Sequence, residues 1–295
     1  MIDGLITPIV TPFKRNQAQE INYSATKKLI DHLIEKGVDG IFALGSNGEF
    51  NVLTNQEKIK FVERVIEYTD KRVPVYAGTG TCSTVETIYL SKEMEKLGVD
   101  GISVISPYFV TLNENELVEH YKAVAESVNI SVILYNIPRL TGNPLTPSIV
   151  SKLAPIENIV CVKDSSRDME NLKAYVEIAN KNNMTVLVGS DSVILEGMKA
   201  GADGAIAGLS NLLTTNLVKL YRASKNKDYV EAEKWQTSLQ TLSKVNRAGT
   251  MPSVLKRSVE LADIARVGAG RLPVQEPSTE LDQEIKEMLV HYELL

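Results

Sequence analysis

Short apolar, β-branched runs alternate with stretches of helical periodicity from the start of the chain to about residue 224. The runs with strand character are Leu5 to Val10, Gly40 to Leu44, Val73 to Ala77, Gly101 to Ile105, Val132 to Tyr135, Ile159 to Lys163, Thr185 to Gly189 and Gly204 to Ala207. Between them, Leu29, Ile30, Leu33, Ile34 and Val38 share one helical face. Phe61, Val62, Val65 and Ile66 do the same, as do Leu117, Tyr121, Val124 and Ala125. Strands that alternate with helices predict a parallel sheet of βα units. One junction recurs: Gly37-Val38-Asp39-Gly40-Ile41, Gly98-Val99-Asp100-Gly101-Ile102 and Gly201-Ala202-Asp203-Gly204-Ala205. Each copy places a glycine at a helix C-cap before a tight turn into a strand.

Eight such units in about 250 residues predict a (β/α)8 TIM barrel. A doubly wound nucleotide-binding sheet would carry a G-x-G-x-x-G turn or a P-loop, and the chain has neither. Residues 1–224 are assigned to the barrel and 225–295 to a helical C-terminal extension of the same unit. The extension is expected to form helices over Tyr229 to Val245, Pro252 to Leu261 and Ser278 to Leu294, with a loop from Gly268 to Pro273.

Composition narrows the partners. The 295 residues are 43% hydrophobic and 23% charged with a net charge of -5, so no basic surface invites nucleic acid or an anionic membrane. Small molecules are the expected partners. Cys82 and Cys161 have neither zinc-type nor disulfide-framework spacing, which points to a reducing compartment and the cytoplasm. Leu5 to Val10 is too short for a secretory signal and has no basic segment before it. No run approaches the ~20 apolar residues of a membrane span.

Active sites of βα barrels lie at the C-terminal ends of the strands. Those ends supply Gly45-Ser46-Asn47-Gly48-Glu49-Phe50, Gly78-Thr79-Gly80-Thr81, Ser106-Pro107-Tyr108-Phe109, Tyr135-Asn136-Ile137-Pro138, Lys163, Gly189-Ser190-Asp191 and Gly208-Leu209-Ser210. His32, His120 and His291 fall in helical stretches, so neither a Ser-His-Asp triad nor a His-rich metal site can be assembled. Lys163 ends the most apolar run of the chain. A lysine there loses solvation, which favours the neutral amine that attacks a ketone, and Tyr135 offers a phenol to move the proton. The resulting Schiff base is an electron sink for a carbon-carbon bond β to the imine carbon. Such chemistry needs no metal or organic cofactor. Gly45 to Gly48 would supply closely spaced N–H groups for a carboxylate, with glycines free to adopt unusual backbone angles. Taken alone, the same residues also suit structural roles: Lys163 in an ion pair, Tyr135 in the core, Asp191 as a helix cap, Asp164 orienting its loop and Trp235 in packing.

Ile6-Thr7-Pro8-Ile9-Val10-Thr11-Pro12-Phe13, Gly45-Ser46-Asn47-Gly48-Glu49, Tyr135-Asn136-Ile137-Pro138 and Val162-Lys163-Asp164-Ser165 occur in an order that resembles the dihydrodipicolinate synthase/N-acetylneuraminate lyase family. The likeness runs over nearly the whole chain. It implies a (β/α)8 barrel, a homotetramer or homodimer, and action on pyruvate or another 2-oxo acid through a lysine Schiff base. By position, Lys163 would be that lysine and Tyr135 the proton shuttle. Gly45, Ser46 and Asn47 would hold the carboxylate, and Ile206 would present a backbone carbonyl.

The departures bear on the second substrate. Synthases of the family resemble Gly-Thr-Thr-Gly-Glu in the first loop, Tyr-Tyr after the fourth-strand proline, and an arginine two residues beyond the Tyr-Asn-x-Pro proline. Here these positions read Ser46-Asn47, Tyr108-Phe109 and Leu140, with Arg139 one place early. Leu140 is similar to the sialic acid lyase branch, as are Gly189 and Asp191 where that branch binds sugar hydroxyls, but Gly208 replaces its serine. Gly-Ser-Asn-Gly-Glu-Phe with Lys-Asp-Ser is similar to the family's 4-hydroxy-2-oxoglutarate and 2-keto-3-deoxy-acid aldolases. The expected activity is reversible cleavage of such an acid to pyruvate (or pyruvate plus glyoxylate) and an aldehyde. The alternatives are condensation of pyruvate with aspartate semialdehyde to 4-hydroxy-tetrahydrodipicolinate, and a non-catalytic 2-oxo acid sensor.

Overall fold

The computed structural model describes residues 1–295. Its strands are β1 (Gly4–Pro8), β2 (Gly40–Ala43), β3 (Val75–Gly78), β4 (Gly101–Ile105), β5 (Ser131–Asn136), β6 (Ile159–Asp164), β7 (Thr185–Val188) and β8 (Gly204–Ile206). They form a closed parallel barrel in sequence order, with β1 pairing β8 from Gly4 opposite Gly204. The helices between strands are α1 (Tyr23–Glu35), α2 (Asn55–Thr69), α3 (Thr84–Leu97), α4 (Glu114–Glu126), α5 (Pro138–Thr141), α6 (Pro147–Leu153), α7 (Met169–Asn182) and α8 (Ile194–Lys199). After β8 come α9 (Thr214–Lys225), α10 (Tyr229–Ser238), α11 (Gln240–Asn246), α12 (Ser253–Leu261) and α13 (Thr279–His291). No helix is long and apolar enough to cross a membrane.

The repeated junction does more than turn the chain. Gly37, Gly98 and Gly201 all have positive φ, as a C-cap glycine allows. The aspartate two residues on then bridges backward. Asp39 accepts from Leu5 N–H and donates its own N–H to Leu5 O; Asp100 does the same with Val75, and Asp203 with Val186, at 2.8–2.9 Å throughout. Each aspartate thus ties the start of one strand to the start of the next.

Two expected elements are altered by side chains distant in sequence. β1 stops at Pro8, and Val10 N–H donates instead to Asn211 Oδ1. The helix expected over Tyr229 to Val245 divides into α10 and α11 at Leu239. The cause is the Tyr292 hydroxyl, which donates to Ser238 O and accepts from Leu242 N–H at 2.6 and 3.1 Å. It replaces the helical bond between those two groups, and an insertion of that kind kinks a helix.

Strand alternation divides the core. One face of each strand meets the surrounding helices, while Ile6, Phe42, Tyr76, Ile133, Cys161, Leu187 and Ile206 form a separate cluster. In β6 one extra residue opposes β5: Ile159 pairs with Val132, but Cys161 pairs with Ile133 and Lys163 with Tyr135. The bulge at Val160 puts Cys161 and Lys163 in phase with Ile133 and Tyr135.

His120 on α4 is buried, with Nδ1 2.9 Å from Thr84 Oγ1 and Nε2 without a partner. Burial pushes its pKa down to about 4. Because the folded value lies below the unfolded one of about 6.5, the unfolded chain gains the proton first as pH falls. This group therefore withdraws stability between about pH 6.5 and pH 4, on the order of 3 kcal/mol in all. Urea midpoints across that range should fall more steeply for the native protein than for His120→Gln; parallel slopes would contradict the assignment.

Candidate active site

Lys163 is 3% exposed at the end of β6. Its Nζ lies 3.8 Å from the centroid of the Tyr135 ring and 5.1 Å from that of Phe42. The pairing follows from register, since Lys163 and Tyr135 are directly opposed on neighbouring strands. The amine rests on aromatic faces with no carboxylate in a salt bridge to it, so the ion-pair role is not the one adopted. The Tyr135 hydroxyl points on to Ser46 Oγ at 3.4 Å.

Gly45 to Glu49 form the turn next to this pair. Ser46–Gly48 is a single 3-10 turn entered from an extended Gly45, closed by the Gly48 N–H to Gly45 O bond at 2.9 Å. The N–H groups of Ser46 and Asn47 take no backbone carbonyl. Positive φ falls on Leu44 and Glu49 rather than on the glycines. Their need is space, not unusual angles: a Cβ on Gly45 would lie 2.9 Å from the Phe42 ring, and one on Gly48 3.1 Å from Ile9 O.

The turn is held from far along the chain. Thr11 Oγ1 donates to Gly48 O at 2.6 Å. Glu49 Oε1 accepts from Lys256 Nζ of α12 at 2.9 Å, and its Oε2 from Arg271 N–H at 2.7 Å. Burial pulls the Lys256 pKa down to about 8, against the pull of Glu49. The Arg271 guanidinium is itself committed to both oxygens of Glu57.

Opposite the turn, Gly189 makes room for the lysine. A Cβ there would overlap Ser165 Oγ and come within 2.9 Å of Lys163 Cε. Asp191 accepts from Leu209 N–H at 3.0 Å, and its carbonyl from Gln236 Nε2 of α10 at 2.8 Å. Its side chain does not cap the helix that follows it but meets the first turn of the 3-10 segment Gly208–Asn211. Its surroundings push the carboxyl up to about 6 by desolvation, outweighing the hydrogen bond from Leu209 and the attraction of Lys163, although part of the residue stays accessible. Gly208 lies between Asn47 and Asp191: a Cβ there would sit 2.5 Å from Asn47 Nδ2, so a serine could not take this place unless Asn47 moved. Ile206 is buried in the inner cluster. Asp164 faces away from the amine, accepting from Asn136 Nδ2 at 2.8 Å and Ser166 Oγ at 2.7 Å. Desolvation raises its pKa against those bonds.

A cavity of about 290 Å³ opens outward from Ser46 and is walled by Phe50, Val52, Ile105, Leu140, Met251 and Val274. Arg271 is the cation on its wall, and Arg139 is exposed outside it. Gly78 and Gly80 line a narrower space beside Ser46 and Tyr135. Phe109 does not join the group: it is 96% exposed at φ 82°. Sequence reasoning missed Phe42, which parity within β2 could have revealed, and Lys256, Arg271 and Gln236, which no local pattern marks.

A sequence profile described as the dihydrodipicolinate synthetase family matches residues 1–292. The chain is 34% identical over 289 residues to the 4-hydroxy-tetrahydrodipicolinate synthase of Oceanobacillus iheyensis, covering 98% of this chain and 97% of that one. It is 32% identical over 293 residues to the protein of that name from Methanospirillum hungatei, covering 99% and 100%. Among solved structures, dihydrodipicolinate synthase from Aquifex aeolicus superposes with a TM-score of 0.93 at 33% identity, covering 99% of each chain. YagE, a prophage protein of the dihydrodipicolinic acid synthase family from E. coli K12 solved in complex with pyruvate, gives 0.94 at 32% identity over the full length of both.

Gly189→Ala should destabilise the protein by about 1–3 kcal/mol through overpacking and push the Lys163 side chain from its seat. Denaturant melts of the variant with an unchanged midpoint would refute the close fit.

Proposed function

Because the chain belongs to the dihydrodipicolinate synthetase family, we propose that Lys163 is its Schiff-base lysine and Tyr135 its proton carrier. Members of the family are class I pyruvate-dependent aldolases and lyases, and this chain is one of those enzymes. The observation that carries the assignment is the buried Lys163 amine over the Tyr135 ring, with the phenol directed to Ser46.

The neutral amine adds to the C2 carbonyl of a 2-oxo acid, and the Tyr135 phenol gives its proton to the carbinolamine hydroxyl, which leaves as water to form an iminium and a phenolate. A base removes the proton of the C4 hydroxyl, the C3–C4 bond breaks, and its electron pair moves into the iminium to give an enamine and an aldehyde. The Tyr135 phenolate, relayed through Ser46, takes that proton and delivers it to C3; water then hydrolyses the iminium, its surplus proton returning to the Tyr135 oxygen, to release pyruvate and the free amine. Ser46 and Asn47, with N–H groups open at the turn, receive the carboxylate.

The apolar mouth supports a neutral aldehyde. Leu140 and Met251 line it, and the Arg271 guanidinium is already engaged by Glu57. An acceptor with a second carboxylate would find no free cation there, while Asp191 suits hydroxyls. The reading is therefore a 2-keto-3-deoxy or 4-hydroxy-2-oxo acid lyase. The names of the curated relatives favour a second reading, condensation of pyruvate with aspartate semialdehyde. The cytoplasmic location is likewise proposed, on two cysteines that form no disulfide. For the oligomer, Phe109, Val110 and Val85 are exposed apolar side chains that a second copy of the chain would cover.

Borohydride reduction with pyruvate should add a fixed mass to the Lys163 peptide; an unchanged intact mass overturns the mechanism. Tyr135→Phe should keep adduct formation but lose about 10²–10⁴-fold in turnover. In a panel of glyoxylate, glyceraldehyde, N-acetylmannosamine and aspartate semialdehyde, a neutral hydroxyaldehyde should react best, and a preference for aspartate semialdehyde would establish the second reading. Phe109→Asp should lower the sedimentation mass relative to the native protein, and a native monomer would dispose of the proposed interface.

A further inference from the structure

Lys256 has no exposed surface, and its ammonium sits between Glu49 Oε1 at 2.9 Å, Thr11 O at 2.9 Å and the Phe13 ring, whose centroid is 4.2 Å away. A buried ion pair is a poor device for stability alone, since desolvating both charges offsets most of their attraction. The role of this pair is more specific. Glu49 ends the Ser46–Gly48 turn in a left-handed conformation, φ 56° and ψ 34°. Arg271 N–H holds its second oxygen, and Thr11 fixes the neighbouring Gly48 carbonyl. Residues from the segment after β1, from α12 and from the loop before α13 thus converge on the two residues directly after Ser46 and Asn47.

Charge points the same way. Glu49 carries a carboxylate immediately beside the turn assigned to the carboxylate of the substrate. Uncompensated, it would repel that anion through a medium of low dielectric. Lys256 both cancels the charge and fixes where the side chain lies.

We propose that Lys256 is a positioning residue for the 2-oxo acid: acting through Glu49, it holds the Ser46–Asn47 turn in its anion-accepting form. The proposal rests on the Schiff-base reading above and adds that the C-terminal extension builds one end of the site. Lys256 touches no reacting atom, so its removal acts on binding rather than on the chemical step.

The test is borohydride trapping across a pyruvate titration, with melting temperature followed in parallel. Lys256→Met should raise the half-saturating pyruvate concentration about tenfold or more, while adduct yield at saturation stays within about threefold of the native protein. Glu49→Gln/Lys256→Met, which removes both charges, should recover most of the lost affinity even where the single variant folds poorly. A folded Lys256→Met with native half-saturation overturns the proposal and leaves the Schiff base intact, as does a double variant no better than the single one. Absence of any adduct in the native protein overturns both.

Discussion

One extra residue in β6 determines which side chains the barrel presents at its mouth. In a strand, side chains alternate between faces, so a slip of one position exchanges inside for outside along its whole length. The bulge at Val160 absorbs that slip before the end of β6. Beyond it, Cys161 and Lys163 share the interior phase of Ile133 and Tyr135, and the amine comes to lie on the phenol ring. Without the bulge, the phase set by Ile159 would carry Val162 into the interior and turn Lys163 toward the helices. The inner cluster then serves as a floor: it excludes water beneath the amine and leaves the strand ends to carry the polar groups.

The fold was legible because its signals are local. Each strand is a short apolar run, and the C-cap glycines at Gly37, Gly98 and Gly201 stand next to the turns they permit. The aspartates of those turns were visible as a repeat, but their bonds back to Leu5, Val75 and Val186 were not, since each spans a whole βα unit. Long-range insertions escaped for the same reason. Nothing near Leu239 foretells the break between α10 and α11, because its cause is Tyr292, 50 residues away from Leu242. Within the site, Lys163, Tyr135, Ser46, Asn47 and Asp191 could be named from strand ends. Phe109 could not be placed, since its exposure depends on where the loop turns and not on its position after a proline. The partner of Glu49 was out of reach at 207 residues' separation.

The two walls of the site differ in origin and in charge. On one side, the Ser46–Gly48 turn offers free N–H groups and is held by α12 and the loop before α13. On the other, Asp191 is held by Leu209 and by Gln236 of α10. The C-terminal helices therefore brace both walls of a barrel that closes without them. That division explains how a barrel with a uniform hydrogen-bonded frame can carry a site needing sub-ångström placement: the strands fix the amine and phenol, and the extension fixes the groups that surround them.

Under the proposed assignment, a bound 2-oxo acid would have one favoured orientation. Its carboxylate would be drawn to the open N–H groups of the turn and repelled by ionised Asp191, whose carboxyl desolvation pushes up to about 6. The remainder of the molecule must then extend toward Asp191 and the apolar mouth. In that reading orientation and bond cleavage are separated: the turn and Lys163 would act on the first three carbons, common to every substrate of this chemistry. The cavity walls at Leu140 and Met251 would then meet only the part of the substrate beyond. Substitutions in those walls can change the aldehyde without disturbing the electron sink, so a family built on one Schiff base can diverge in its second substrate while its barrel stays the same.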